Sequence, residues 1–69
     1  MATLKKLGSK IAEIRRKKGL SQEDLAGEAE IDRSYLSELE NGLKNPSLLV
    51  LEKIAQALGL KLQELFKGL

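Results

Sequence analysis

Between residues 21 and 42 the chain spells out two short helices and a tight turn. Ser21 stands at an N-cap position and Asp24 follows at the third helical position, the spacing of a capping box. Leu25, Ala26 and Ala29 then share one face at helical spacing. Glu30 and Ile31 carry the turn. Asp32 is a suitable cap for the next helix, whose inner face is Leu36 and Leu39. Asn41-Gly42 supplies a left-handed stop, because glycine meets no Cβ penalty there. The expected helices are 22–29 and 33–41.

The rest of the chain reads as helices around this pair. Leu4, Leu7, Ile11 and Ile14 recur at three and four residues, which predicts an amphipathic helix over about 4–18, stopped by Gly19. Gly8 should weaken it by about 1 kcal/mol relative to Ala. Leu20 fills the corner. Asn45 as cap and Pro46 as first helical residue predict a helix over 46–58, with Leu48, Leu51, Ile54, Ala55 and Leu58 as its buried stripe. Residues 61–67 predict a last short helix carrying Leu62, Leu65 and Phe66. No alternating run reads as a strand; Val and Thr occur once each. The expected fold is all-α: one compact five-helix domain spanning residues 1–69, with a core of Leu, Ile and Ala.

At 69 residues such a chain buries only about 60% of its unfolded surface, and it has no cysteine to staple it. Lacking both Cys and His, it has no conventional zinc ligands, and no metal is expected. There is no Gly-rich phosphate loop and no pairing of nucleophile with base, so no enzyme, cofactor or small-molecule ligand is predicted. No apolar run approaches the roughly 20 residues that span a bilayer, and residues 1–6 lack a signal-peptide core. The expected compartment is the cytoplasm, without membrane contact. The net charge of +2 conceals a strong polarity. Residues 1–20 hold seven bases against Glu13 alone, a net of +6, and residues 21–32 hold five acids and no base.

The two-helix stretch resembles a helix-turn-helix, whose second helix enters the DNA major groove. Several linked pieces extend the resemblance: Ile11…Ile14-Arg15…Gly19-Leu20-Ser21-Gln22-Glu23…Leu25-Ala26, then Tyr35-Leu36-Ser37…Leu39-Glu40-Asn41-Gly42, then Pro46-Ser47-Leu48…Leu51…Ile54-Ala55…Ala57-Leu58-Gly59. Together, over about residues 7–67, they resemble the phage lambda repressor and Cro-type regulators. The small size is most similar to controller proteins of restriction–modification systems, or to short phage and plasmid repressors. The resemblance implies that Gln22 contacts a phosphate and braces the recognition helix. It implies backbone contacts for Asn41, Lys44 and Asn45, and a salt bridge between Arg15 and Glu40. The family commonly has Gly at the turn where this chain has Glu30, and a left-handed backbone there would cost a non-Gly residue on the order of 1 kcal/mol.

With Leu36, Leu39 and Glu40 turned inward, Ser34, Glu38 and Asn41 point outward and Ser37 lies beside them. Arg33, at the helix start, is suited to a bidentate contact with guanine, worth about 1–3 kcal/mol of discrimination. Its competing role is a phosphate contact or a solvated charge. Ser34 and Ser37 fit either base or phosphate. Glu38 could accept from cytosine or orient Arg33, or be a plain surface acid. Tyr35 either directs its hydroxyl to phosphate or simply packs. Lys17 and Lys18 would flank the phosphate contacts. One domain reads too few base pairs for a unique site, so a homodimer on a pseudo-palindromic double-stranded DNA operator is expected. Leu62, Leu65, Phe66 and Leu69 are the expected dimer surface, against the alternative that they close the core. Glu23, Asp24 and Glu28 could form a patch for RNA polymerase. The rival function is an adaptor or antitoxin-like module that holds another protein.

Overall fold

A computed structural model describes residues 2–69; Met1 lies outside them. Five helices are described: α1 (Ala2–Lys17), α2 (Gln22–Ala29), α3 (Arg33–Glu40), α4 (Leu48–Ala57) and α5 (Leu62–Phe66). None but α1 exceeds ten residues. Helices this short are marginal alone, so packing must hold them. α2 packs on α3 and α4, α1 on α3 and α5, and α5 on α4. Ile11, Leu25, Leu36, Leu39, Ile54, Leu58 and Leu65 are fully buried where these elements meet. No strand occurs among the described residues, as the composition predicts.

The Ser21 and Asp32 caps form as read. The Ser21 hydroxyl accepts from the Asp24 N–H at 3.0 Å, and the Asp24 carboxylate accepts from the Ser21 N–H at 2.9 Å. The Ser21 backbone N–H donated to the carboxylate, followed by the Ser21 side chain, holds the Asp24 pKa below the ordinary carboxylate range. The sign of the linkage follows. A depressed folded pKa stabilises above the unfolded pKa of about 3.9, and that contribution is lost as pH falls through the folded value. Asp24→Asn should therefore flatten the acid side of a melting-temperature profile below about pH 4. An unchanged acid limb would show that this cap does not titrate with folding. Asp32 caps α3 by accepting from the Ser34 N–H at 2.8 Å.

Four helices close alike, with a residue in the left-handed region and an N–H reaching back five residues to a carbonyl. These bonds are Leu20 to Arg15, Ile31 to Ala26, Leu43 to Glu38 and Leu60 to Ala55. Three of the left-handed residues are glycines and the fourth is Glu30, at φ 57° and ψ 45°. The turn between α2 and α3 thus keeps the geometry that glycine favours with a side chain in place. Glu30→Gly should relieve that strain and gain about 0.5–1 kcal/mol, net of glycine's greater unfolded-state entropy. Thermal unfolding tests it: the midpoint should rise by a few degrees, and a fall would mean that the Glu30 side chain contributes more than its backbone costs.

Three expectations need correction. α1 begins at Ala2, two residues early. α4 begins at Leu48, because Ser47 is the cap that forms, accepting from the Val50 N–H at 3.2 Å. Asn45 and Pro46 belong to the connecting loop. Leu48 is consequently the first residue of the helix, lies beyond the reach of the core and is 62% exposed rather than buried. The expected dimer surface also divides. Leu65 is fully buried in the core, and α5 stops at Phe66. Leu62 is half-buried beside α4, whereas Leu69, past Gly68, lines a shallow groove against Lys5, Ser9 and Lys10 of α1. Leu62 and Leu65 turn to the core and Leu69 does not continue their line, because the helix ends at Phe66.

Gly8 has a larger role than its propensity suggests. It is buried at the crossing of α1 and α3, where a Cβ would lie 2.3 Å from the Leu39 carbonyl oxygen and 2.6 Å from that of Glu40. The two backbones meet there because no side chain intervenes.

Candidate nucleic-acid interface

α3 presents two chemically distinct sides. Leu36, Leu39 and Glu40 are buried, while Arg33, Ser34, Glu38 and Asn41 are exposed and Ser37 is half-buried. The hundred-degree step between residues puts the exposed set on one polar strip. Tyr35 lies on the flank, half-buried and packed against the core.

A buried polar cluster sets the position of this strip. Arg15 donates from Nε to Glu40 Oε2 at 2.7 Å and from Nη2 to Glu40 Oε1 at 3.0 Å. Its Nη1 donates to the Leu20 carbonyl at 2.8 Å. The fork of one guanidinium thereby joins α1, the α1–α2 corner and α3. Hydrogen bonding to Glu40 raises the Arg15 pKa, against a lowering from burial and with the carboxylate's charge adding to it. Arg15 is therefore charged wherever the protein is folded. Among the described residues no buried side-chain polar atom lacks a partner.

Gln22, at the start of α2, connects the cluster to the strip. Its Nε2 donates to Glu40 Oε1 at 2.9 Å, and its Oε1 lies 3.5 Å from Arg33 Nη1. Glu38 does not orient Arg33, as one reading of the sequence had it. Its carboxylate is 4.0 Å from the Lys44 ammonium, a long and largely solvated pair worth little. Lys44 is half-buried and Asn45 exposed in the loop after α3, and Asn41 donates from Nδ2 to the Ser37 carbonyl at 2.9 Å. Lys17 and Lys18 are exposed at the end of α1, next to the α2 N-terminus in the chain. Spacing alone had no means of revealing the Gln22–Glu40 bond, which joins residues 18 apart. Gly8 carried a signal, a glycine among the apolar positions of a helix.

A helix-turn-helix family model matches residues 11–65, which takes in all the elements that carry this cluster and strip. The chain belongs to the helix-turn-helix family. It is 45% identical over 65 residues to the control protein C.MunI of a Mycoplasma species, covering 93% of this chain and 88% of that one. The fold is similar to that of the restriction–modification controller protein C.AhdI from Aeromonas hydrophila, with a TM-score of 0.94 at 45% identity over 96% of this chain and all of that one. It is also similar to SinR, a master regulator for biofilm formation solved in complex with DNA, with a TM-score of 0.84 at 37% identity over 88% and 98% of the two chains. As a member of this family the chain is a transcriptional regulator of the controller and repressor type, not an enzyme. Among the described residues, no helix is long and apolar enough to cross a membrane.

Proposed function

We propose that the chain binds a pseudo-palindromic operator as a homodimer in the cytoplasm, with α3 of each copy in the major groove. The observation that carries this is the polar strip of α3, exposed along its length while the opposite side is locked to α1 and α2. The DNA-bound SinR relative supports the same reading. Arg33 stands at the helix start, where base edges are met, and Ser34, Ser37 and Glu38 follow along the groove. Gln22, Tyr35, Asn41, Lys44 and Asn45 rim the strip as phosphate contacts, with Lys17 and Lys18 outside them. Phosphate contacts fix register and affinity, and base contacts choose the site.

Selection from random duplexes tests the proposal. An inverted repeat with half-sites about one helical turn apart should be enriched. Arg33→Ala should cost about 1–3 kcal/mol at its base pair, roughly a 5- to 150-fold loss of discrimination there. Replacing Arg33, Ser34 and Glu38 together by alanine should abolish site choice in a protein that still folds. The affinity of the natural chain should also fall steeply as salt is raised, since each neutralised phosphate adds about 0.9 to the logarithmic slope. If no sequence is enriched, the fold serves a protein partner instead, as an adaptor would.

A further inference from the structure

Seven bases precede residue 20, and the roles given so far use only Arg15, Lys17 and Lys18. Lys5, Lys6 and Lys10 stand in the first half of α1 and line one groove with Ser9, Glu13 and Lys67, four bases against one acid. The helix sorts them by side. Lys6 and Lys10, four residues apart, share the side toward α5, where Lys10 Nζ donates to the Lys67 carbonyl just past that helix. Lys5 stands three and seven residues before Gly8 and Ala12, on the side that crosses α3. A second close approach of backbones holds it there. Gly42, left-handed at φ 76°, leaves no room for a side chain: a Cβ would stand 2.7 Å from Lys5 Cγ and 2.9 Å from Lys5 Cα. The stem of Lys5 therefore runs over Gly42, at the end of α3, and the residue is exposed.

We propose that Lys5 is a DNA phosphate contact, continuing the row of contacts from the loop after α3 onto the start of α1. The inference rests on the DNA reading above. Gly42 lies between Asn41 and Lys44, so the Lys5 stem is fixed beside the residues assigned to phosphate. Lys44, the other base at this edge, has the Glu38 carboxylate at 4.0 Å, whereas Lys5 makes no ion pair among the described residues. Its charge is thus free for a phosphate on the incoming duplex. A base contact is the poorer fit, since base edges are met from the start of a recognition helix and Lys5 sits against its far end. Lysine suits phosphate as a compact point charge on a flexible stem, which needs no exact angle. The competing account is purely structural: a cation also favours the negative end of α3.

Binding over a range of salt, to an arbitrary duplex and to the duplex that selection enriches, reads the contact. Lys5→Gln should lower the logarithmic salt slope by about 0.9 per bound copy, and cost about eightfold in affinity per copy at 0.1 M salt, on both duplexes. Sequence preference should not change, because a phosphate contact reads no base. Helical circular dichroism should also hold, since Lys5 is exposed. Lys5→Arg keeps the charge and should keep the natural slope. Lys6→Gln removes the same charge one residue along, on the side toward α5, and should change the slope by less than half as much. A structural role predicts instead a lower melting temperature with the slope intact. An unchanged slope in Lys5→Gln, or an equal fall in Lys6→Gln, would overturn the inference and leave the DNA reading standing. A natural chain that binds neither duplex would overturn both.

Discussion

Replacing Arg15 by alanine is expected to lower the melting temperature on the order of 15 °C, through a loss of about 3 kcal/mol. The substitution leaves the Glu40 carboxylate, 4% exposed, with only the Gln22 amide as partner. A buried charge without its counter-charge is more destabilising than the intact pair is stabilising, because desolvation is no longer offset. Replacing both partners by apolar residues of similar volume, Arg15→Met with Glu40→Leu, should recover most of the loss, since the orphaned charge is gone. Thermal unfolding of the two single variants and the double variant measures the coupling. The folded fraction of Arg15→Ala should keep its sequence preference, as Arg15 is turned into the protein and away from the α3 strip. If Arg15→Ala melts like the natural chain and loses only DNA affinity, its role is at the interface and the structural assignment is wrong.

Gly8→Ala is the second large effect, and its sign is diagnostic. Helix propensity alone predicts a gain of about 1 kcal/mol from removing a glycine inside α1. The crossing predicts the reverse. The new methyl carbon would stand 2.3 Å from Leu39 O, 2.6 Å from Glu40 O and 2.8 Å from Glu40 C, all backbone atoms that cannot rotate away. α1 and α3 must separate, at about 2–3 kcal/mol by analogy with overpacked cores, so the midpoint should fall by roughly 10–20 °C. Because Glu40 sits at that contact, the shift also pulls its carboxylate from Arg15 and Gln22. A rise in the melting temperature would mean that the two backbones have room between them.

These two positions separate what the local sequence carries from what it does not. The Arg15–Glu40 pair was reached through a family resemblance, and the geometry bears it out with two hydrogen bonds. Propensity marks Gly8 only as a weak point in a helix, since it carries nothing of what lies opposite. The polar strip of α3 was legible because Leu36 and Leu39 fix the helix phase, and the phase determines which residues remain outside. The resemblance gives Gln22 as its brace, but not the partner, because the Gln22 amide reaches Glu40 only after α2 and α3 have docked. Leu69 departs from the expected line for a similar reason: helical spacing extends past Phe66, where the helix has ended.

From the amino-acid order alone came the five helices, the caps Ser21 and Asp32, the two short helices at the centre and the outward strip of the second. All of these depend on neighbours within a turn or two, and nearest-neighbour chemistry suffices for them. Tertiary structure alone decided that Gly8 admits a neighbouring backbone, that Gln22 links a buried carboxylate to Arg33, and that Leu48 faces solvent while Leu65 does not. Each of these joins residues distant in the chain, or depends on where a helix begins or ends against its neighbours. Such relations come into being only when the chain closes on itself.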